Sequence, residues 1–192
     1  MANQAYHQNK NFLGINYAEK ELAGREFDQC TFQNVDFSNC KIQNCSFSDC
    51  VMDGCNLTLA KLINTGLSGV KFKNCKLLGL DFSTTRNFSF AVTFDSCIMD
   101  YASFTRKKLR NTLFKKCRLL ETGFQESDLT GAVFADCDLT RAFFSNSILN
   151  VADFTSAYNF SIDPEKNKIK KAKFSASGLP GLLEKYNLNI IG

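Results

Sequence analysis

The residues best equipped for chemistry are nine cysteines: Cys30, Cys40, Cys45, Cys50, Cys55, Cys75, Cys97, Cys117 and Cys137. Thiols can hold a metal, carry redox equivalents or close disulfides. The quick succession of Cys40, Cys45, Cys50 and Cys55 would suit a metal or redox site. Structural zinc sites, however, favour C-x₂₋₄-C pairs with His partners, and the one histidine, His7, lies in the polar start MANQAYHQNKN. A reduced cysteine otherwise behaves as a compact buried apolar residue. Packing is therefore the expected role, and no metal is expected. The acid pair Asp136 and Asp138 is the other grouping with catalytic potential. Motifs that activate a nucleophile, bind zinc or cradle a phosphate, such as G-x-S-x-G, H-E-x-x-H or a Gly-rich phosphate loop, do not occur. No catalytic, metal-binding or cofactor-binding residue is assigned, and no small-molecule substrate.

Composition narrows the field further. The chain has 192 residues, 44% hydrophobic and 22% charged, with 19 Phe, 11 Gly, 2 Pro and a net charge of +4. That length suits one domain with a continuous core. The Phe content and small net charge exclude disorder, and the low Gly and Pro exclude collagen-like structure. No apolar run approaches the ~20 residues that span a bilayer, and the start is no signal peptide. The expected location is the cytoplasm, where thiols stay reduced and disulfides are rare.

The elements that position these residues follow a five-residue rhythm. Large apolar residues recur at Tyr17, Leu22, Phe27, Phe32, Phe37, Ile42, Phe47, Met52, Leu57, Leu62, Leu67, Phe72, Leu77 and Phe82. The rhythm resumes at Phe94, Met99, Phe104, Leu109, Phe114, Leu119, Phe124, Leu129, Phe134, Leu139, Phe144, Leu149 and Phe154. Neither the helical period of about 3.6 nor the strand period of about 2 produces this pattern. All nine cysteines sit two places before a large residue. The expected inward core is thus Phe72, Phe82, Phe94, Phe104, Phe114, Phe124, Phe134, Phe144 and Phe154, with Cys97, Cys117 and Cys137 among the small inward residues. In the second half Phe alternates with Leu or Met at every step, which a coil of four faces and 20 residues explains: two opposite Phe walls and two of Leu. Charges spaced by 20 then stack at about 4.8 Å and should alternate in sign. Glu21/Lys41, Asp53/Lys73, Lys61/Asp81, Asp95/Lys115, Arg106/Glu126, Lys108/Asp128, Lys116/Asp136, Arg118/Asp138 and Glu121/Arg141 obey this, against the one like-signed pair Lys41/Lys61.

The pattern resembles the pentapeptide-repeat family, whose unit reads approximately A-[D/N]-[L/F]-x-x; SDLTG (127–131), CDLTR (137–141) and ADFTS (152–156) match best. The resemblance covers about residues 17–174 and implies an all-β solenoid, a right-handed quadrilateral β-helix. Residues 1–16 would be a leader or cap, and 175–192 a C-terminal helix and tail. Lys20, Arg25 and Lys107 depart from the pattern at small inward positions, so the first coil and the wall at Lys107 are expected to distort or turn towards solvent.

Two segments break the monotony. From Phe82 to Phe94 the spacing is two residues longer than two quintets, so 83–93 should bulge, with Arg86, Asn87, Phe88 and Phe90 the candidate partner contacts. Beyond a decaying repeat at 155–174, Leu179, Leu182, Leu183 and Tyr186 fall at i, i+3, i+4 and i+7, with Ser177 as expected cap and Pro180 in the first turn. The ending G-L-L-E-K-Y-N-L-N-I-I-G resembles that of the Qnr-type quinolone-resistance proteins. That resemblance implies end-to-end homodimerisation through Leu179, Leu182, Leu183, Tyr186, Leu188 and Ile190. It further implies binding to DNA gyrase and topoisomerase IV by mimicry of DNA. Acidic bands at 19–36 and 121–138 would carry such mimicry, against a chain that is net basic. The alternatives are a scaffold without a topoisomerase role and direct nucleic-acid binding through the basic run 106–118 and the lysines of 166–173.

Overall fold

The quintets fold in two closely related ways, one with a three-residue strand and one with a single bridge residue followed by a turn. In the first kind three residues centred on the large one extend, as at Glu26–Asp28, Thr31–Gln33, Lys41–Gln43 and Ser46–Ser48. Two places after the large residue the backbone enters the left-handed region, with φ of 51° at Gln29, 51° at Asn34, 53° at Asn44 and 50° at Asp49. Asn, Asp and Gly tolerate that conformation, and it turns the chain through a corner. Val151 adopts it too, at φ 61°, where a β-branched side chain is strained. The residue before the large one braces the same corner. Carboxylate or amide oxygens of Asp36, Asn56, Asp128, Asp138 and Asp153 accept the backbone N–H two places on, at 2.9–3.2 Å. These are Asx turns, and they give the [D/N] of the repeat its physical reason.

Four corners return the chain to its starting wall. Residues 6–189 and 191, which the computed structural model describes, form a right-handed quadrilateral β-helix of about 8 turns. Register is parallel and 20 residues apart: Phe32 pairs with Met52, Met52 with Phe72, and Phe94 with Phe114. One wall is a nine-stranded sheet that runs from Asn11–Leu13 to Lys173–Phe174, and shorter sheets and isolated bridges form the others.

Phe72, Phe94, Phe114, Phe134 and Phe154 line the nine-stranded wall, and Phe82, Phe104, Phe124 and Phe144 the wall opposite. Within each wall the rings stack face to face, as for Phe82 on Phe104 at 4.5 Å and Phe114 on Phe134 at 4.8 Å. Across the column they meet edge to face, as for Phe104 with Phe114 at 5.9 Å. All nine of these phenylalanines and all nine cysteines are buried. Two opposite aromatic walls that interdigitate leave room for Leu and Met on the other pair.

Three expectations need correction. Of the expected leader 1–16, the described residues from Tyr6 on belong to the column: Tyr6–Gln8 pairs with Glu26–Asp28 and Asn11–Leu13 with Thr31–Gln33. His7 therefore takes an inward position and stacks on Phe27 at 5.0 Å. Lys107 does not turn outward either; it is 1% exposed. The C-terminal helix is a single α-turn, Pro180–Leu183, between 3-10 turns at Ala176–Gly178 and Glu184–Tyr186. Its approach is capped by Ser175, which accepts from Gly178 N, rather than by Ser177.

Substitution of Phe114 by Asp places an unpaired carboxylate in the interlocked rings and removes a stack on both sides. The expected loss exceeds ~4 kcal/mol, a large share of the ~5–15 kcal/mol typical of a domain, and the cooperative thermal transition disappears. Phe114→Leu, which puts at this site the residue used on neighbouring walls, should retain that transition. Circular-dichroism melts distinguish the two.

Candidate functional site

Cys40 and Cys50 are not set up as reactive thiolates. Burial pushes Cys40 and Cys50 up to about 11, and Cys50 donates to Phe27 O at 3.5 Å in the coil below. Reactive cysteines are instead partly exposed thiolates in electropositive surroundings. Among the described residues, no group of three or more His, Cys, Asp or Glu side chains is placed to hold a metal.

The break at 83–93 is a compact excursion. Arg86 N still donates to Thr65 O at 3.0 Å, in normal register, and Ala91 N takes Leu67 O at 3.0 Å. The extra length is confined to the residues between them. Asn87 and Phe88 are exposed, Phe88 at 89%. Arg86 is half-buried, with Nε donating to Asn64 O at 2.9 Å. Phe90 folds back against the core and meets Phe82 edge-on.

Lys107 holds this excursion from within. It occupies a small inward position, one place before the Lys108–Asp128 bridge. From there its ammonium donates to Thr85 O at 2.8 Å, to Asn87 Oδ1 at 2.9 Å and to Arg86 O at 3.4 Å, and lies 4.5 Å from the Phe90 ring centre. An excursion strips carbonyls of their partners in the next coil, and a lysine supplies three donors from one position. Burial lowers its pKa from 10.5 to about 8, opposed by the charge of Asp81. The sequence marked Lys107 only as a misfit. Across the excursion one coil is 22 residues, as in the Asp81–Ser103 bridge; that count sets Lys107 over Thr85 and is the signal that could have joined it to the excursion.

Part of the surface charge is paired within the column. Ion pairs form one coil apart at Glu21–Lys41, Asp95–Lys115, Arg106–Glu126, Glu121–Arg141 and Asp153–Lys173. The bridges Lys108–Asp128 and Arg118–Asp138 keep the expected register. The ion pairs nevertheless differ, because Asp128 binds Arg110 and Arg118 binds the buried Asp100. Asp138 is taken up by the Thr140 turn and by Asn159 Nδ2. Of the seven bases in 106–118, four are thus in ion pairs and Lys107 is buried.

The C-terminal turns close the last coil. Lys185 bridges Asp163 at 2.8 Å and Glu165 at 2.6 Å, and Tyr186 OH donates to Glu165 Oε1 at 2.9 Å. Hydrogen bonding to Lys185 holds both carboxyls below their usual range. This clamp was not legible in the sequence. Only Leu182 packs on the core; Leu179, Leu183, Tyr186 and Leu188 are exposed. Ile190 lies outside the described residues.

Two family models match the chain: one described as a pentapeptide repeat region, at residues 20–91, and one as pentapeptide repeats (8 copies), at 127–158. Together they cover more than half of it. The chain belongs to the pentapeptide-repeat family. Solved structures of that family align along most of its length. QnrB1, a plasmid-mediated fluoroquinolone resistance protein, aligns in a trypsin-treated variant with 20% identity and a TM-score of 0.48, covering 96% of this chain and 99% of that one. HetL, a pentapeptide repeat protein involved in heterocyst differentiation regulation in the cyanobacterium Nostoc, aligns with 16% identity and a TM-score of 0.38, covering 88% and 87%. A pentapeptide repeat protein from the Arabidopsis thaliana thylakoid lumen aligns with 17% identity and a TM-score of 0.27, covering 78% and 68%. No curated protein sequence matches. No helix of the described residues is long and apolar enough to cross a membrane.

A lysine whose pKa is lower folded than unfolded binds fewer protons in the native state, so its contribution makes stability rise with pH between the two values. For this pentapeptide-repeat protein the window runs from about 8 to 10.5. The difference in stability between the wild type and Lys107→Met, followed by urea denaturation, should shift in favour of the wild type across that window. Lys107→Met should also speed amide exchange at 87–91 while the flanking coils stay protected.

Proposed function

We propose that this protein is a non-catalytic rod that works by surface contact with a macromolecular partner, as a homodimer joined at its C-terminal end. The exposed C-terminal face carries the reading. Leu179, Leu183, Tyr186 and Leu188 stand in solvent beside one another in sequence, on a turn anchored through Leu182 and the Lys185 clamp. A second copy of the same surface satisfies such a face by two-fold symmetry, in which every contact between two apolar groups is made twice. The excursion at Arg86, Asn87, Phe88 and Phe90 is the matching candidate for the partner. Full exposure of a Phe forgoes roughly 1.5–3 kcal/mol of burial, and a side chain presented on a fixed backbone is preorganised to recover it in a complex.

The resemblance of the ending at 181–192 to the Qnr-type proteins supports a more specific second reading, in which the partner is DNA gyrase or topoisomerase IV. Acid placement tempers the DNA-mimic form of that reading. In the 121–138 band, Glu121, Glu126 and Asp128 are in ion pairs, and Asp128 and Asp138 brace corners. Direct nucleic-acid binding has less support, since most bases of 106–118 are paired or buried.

Leu183→Arg should convert the dimer to a monomer in light scattering, with an unchanged melt; an unchanged mass would restrict the helix to capping. In a supercoiling assay, the wild type should alter gyrase activity, or rescue it from a fluoroquinolone, at micromolar concentration or below. A flat dose response removes the topoisomerase reading and leaves the scaffold reading standing.

A further inference from the structure

Five coils in succession place a cysteine at the same inward corner. Lys76 N donates to Cys55 O at 2.9 Å, and Ile98 N to Cys75 O, Arg118 N to Cys97 O and Asp138 N to Cys117 O at 3.0 Å. Cys55, Cys75, Cys97, Cys117 and Cys137 are therefore stacked, each about 4.8 Å above the last. The side chains share a direction: each donates to the carbonyl two places before it, Cys55 to Asp53 O, Cys75 to Lys73 O, Cys97 to Asp95 O, Cys117 to Lys115 O and Cys137 to Ala135 O, at 3.1–3.6 Å. The file continues across the excursion, where the spacing from Cys75 to Cys97 grows from 20 to 22 residues. The other inward corners mix Ala, Thr, Ser, Val, Leu80, Lys107 and Asn167 with the remaining cysteines.

No three donors converge on one point, so a closed tetrahedral centre is ruled out among the described residues. A straight file offers pairs of sulfurs facing each other along the column axis. A metal–thiolate bond of ~2.3 Å makes a linear S–metal–S unit span ~4.6 Å, close to the spacing of the coils. We infer that this file binds thiophilic, two-coordinate metal ions, each held between two successive cysteines, and that Hg(II) fits it best. Charge makes the choice of ion. Hg(II) with two thiolates is neutral, whereas Cu(I) or Ag(I) in the same place leaves a net negative charge in an apolar wall. In each event two S–H bonds break, two Hg–S bonds form and two protons leave to solvent, with no change of oxidation state. A sulfur already in a linear pair has no second linear partner to offer, so five thiols in line hold two ions. Cys30 and Cys50 are stacked likewise, through Val51 N to Cys30 O at 3.0 Å, and form a third pair. Cys40 and Cys45 have no thiol directly above or below them.

The pairing has a parity that non-specific thiol binding lacks. Native mass spectrometry of the folded chain, titrated with Hg(II) in a competing halide buffer, should show three ions per chain. Proton release measured in parallel should give two protons for each ion. Cys97→Ala leaves the pairs Cys55–Cys75 and Cys117–Cys137 and should still bind three. Cys75→Ala and Cys117→Ala each strand one thiol or more and should bind two, while Cys40→Ala should bind three. Alanine already fills equivalent corners at Ala132 and Ala152, so these variants should keep the cooperative melt, which reports that they are folded. Loss of one ion from every variant, one proton per ion, or uptake only after unfolding would overturn the inference.

Discussion

Every inward side chain in this protein rests on its counterpart one coil below, at a separation set by backbone hydrogen bonds between parallel strands. The bonds fix the distance, so side chains must be ones that tolerate a like neighbour at ~4.8 Å. Phenylalanine does so by stacking, Leu and Met by interlocking, Cys by being small. The same constraint acts outside. An acid directly above an acid is repelled, which is why charged positions one coil apart carry opposite signs with the exception of Lys41 and Lys61, and an Asp before the large residue is turned into its own corner.

The excursion shows what happens when that constraint is interrupted. Two added residues cannot be absorbed by a column whose register is fixed above and below, so they leave it as a unit. Asn87, which occupies the place of a large inward residue, goes outward, and Phe90 returns to cover the gap. Polar groups freed beneath the next coil are collected by Lys107. Regularity and irregularity are therefore linked through one side chain, and the exposed Phe88 stands on a base that is hydrogen-bonded from below.

Most of the architecture was legible in the sequence because a quintet repeated many times leaves few geometries open. The four faces followed from the Phe/Leu alternation, and the register from opposite charges 20 apart. What escaped the sequence were contacts decided by side-chain reach rather than register. Arg110 reaches Asp128 in place of Lys108, Arg118 turns to Asp100 in place of Asp138, and Lys107 turns inward because the excursion creates acceptors that only three-dimensional placement reveals. The start was misread because His7 and Phe12 are isolated among polar residues, yet both stack on the coil above. Of the candidate contacts, the exposure of Phe88 and of the C-terminal leucines was foreseeable, whereas the clamp of Lys185 on Asp163 and Glu165 depends on a chain reversal that no local pattern signals.

The closing turns also decide how the rod ends. Phe160 presses against Gly178 and Gly181 so tightly that a methyl group at Gly181 would collide with the Phe160 carbonyl oxygen, and Ile162 N donates to Gly181 O at 2.9 Å. These glycines let the backbone lie flat over the last rung, where free strand edges would otherwise recruit another molecule. A stack of self-complementary rungs is a template for endless fibre growth, and here two residues without side chains act as its terminator.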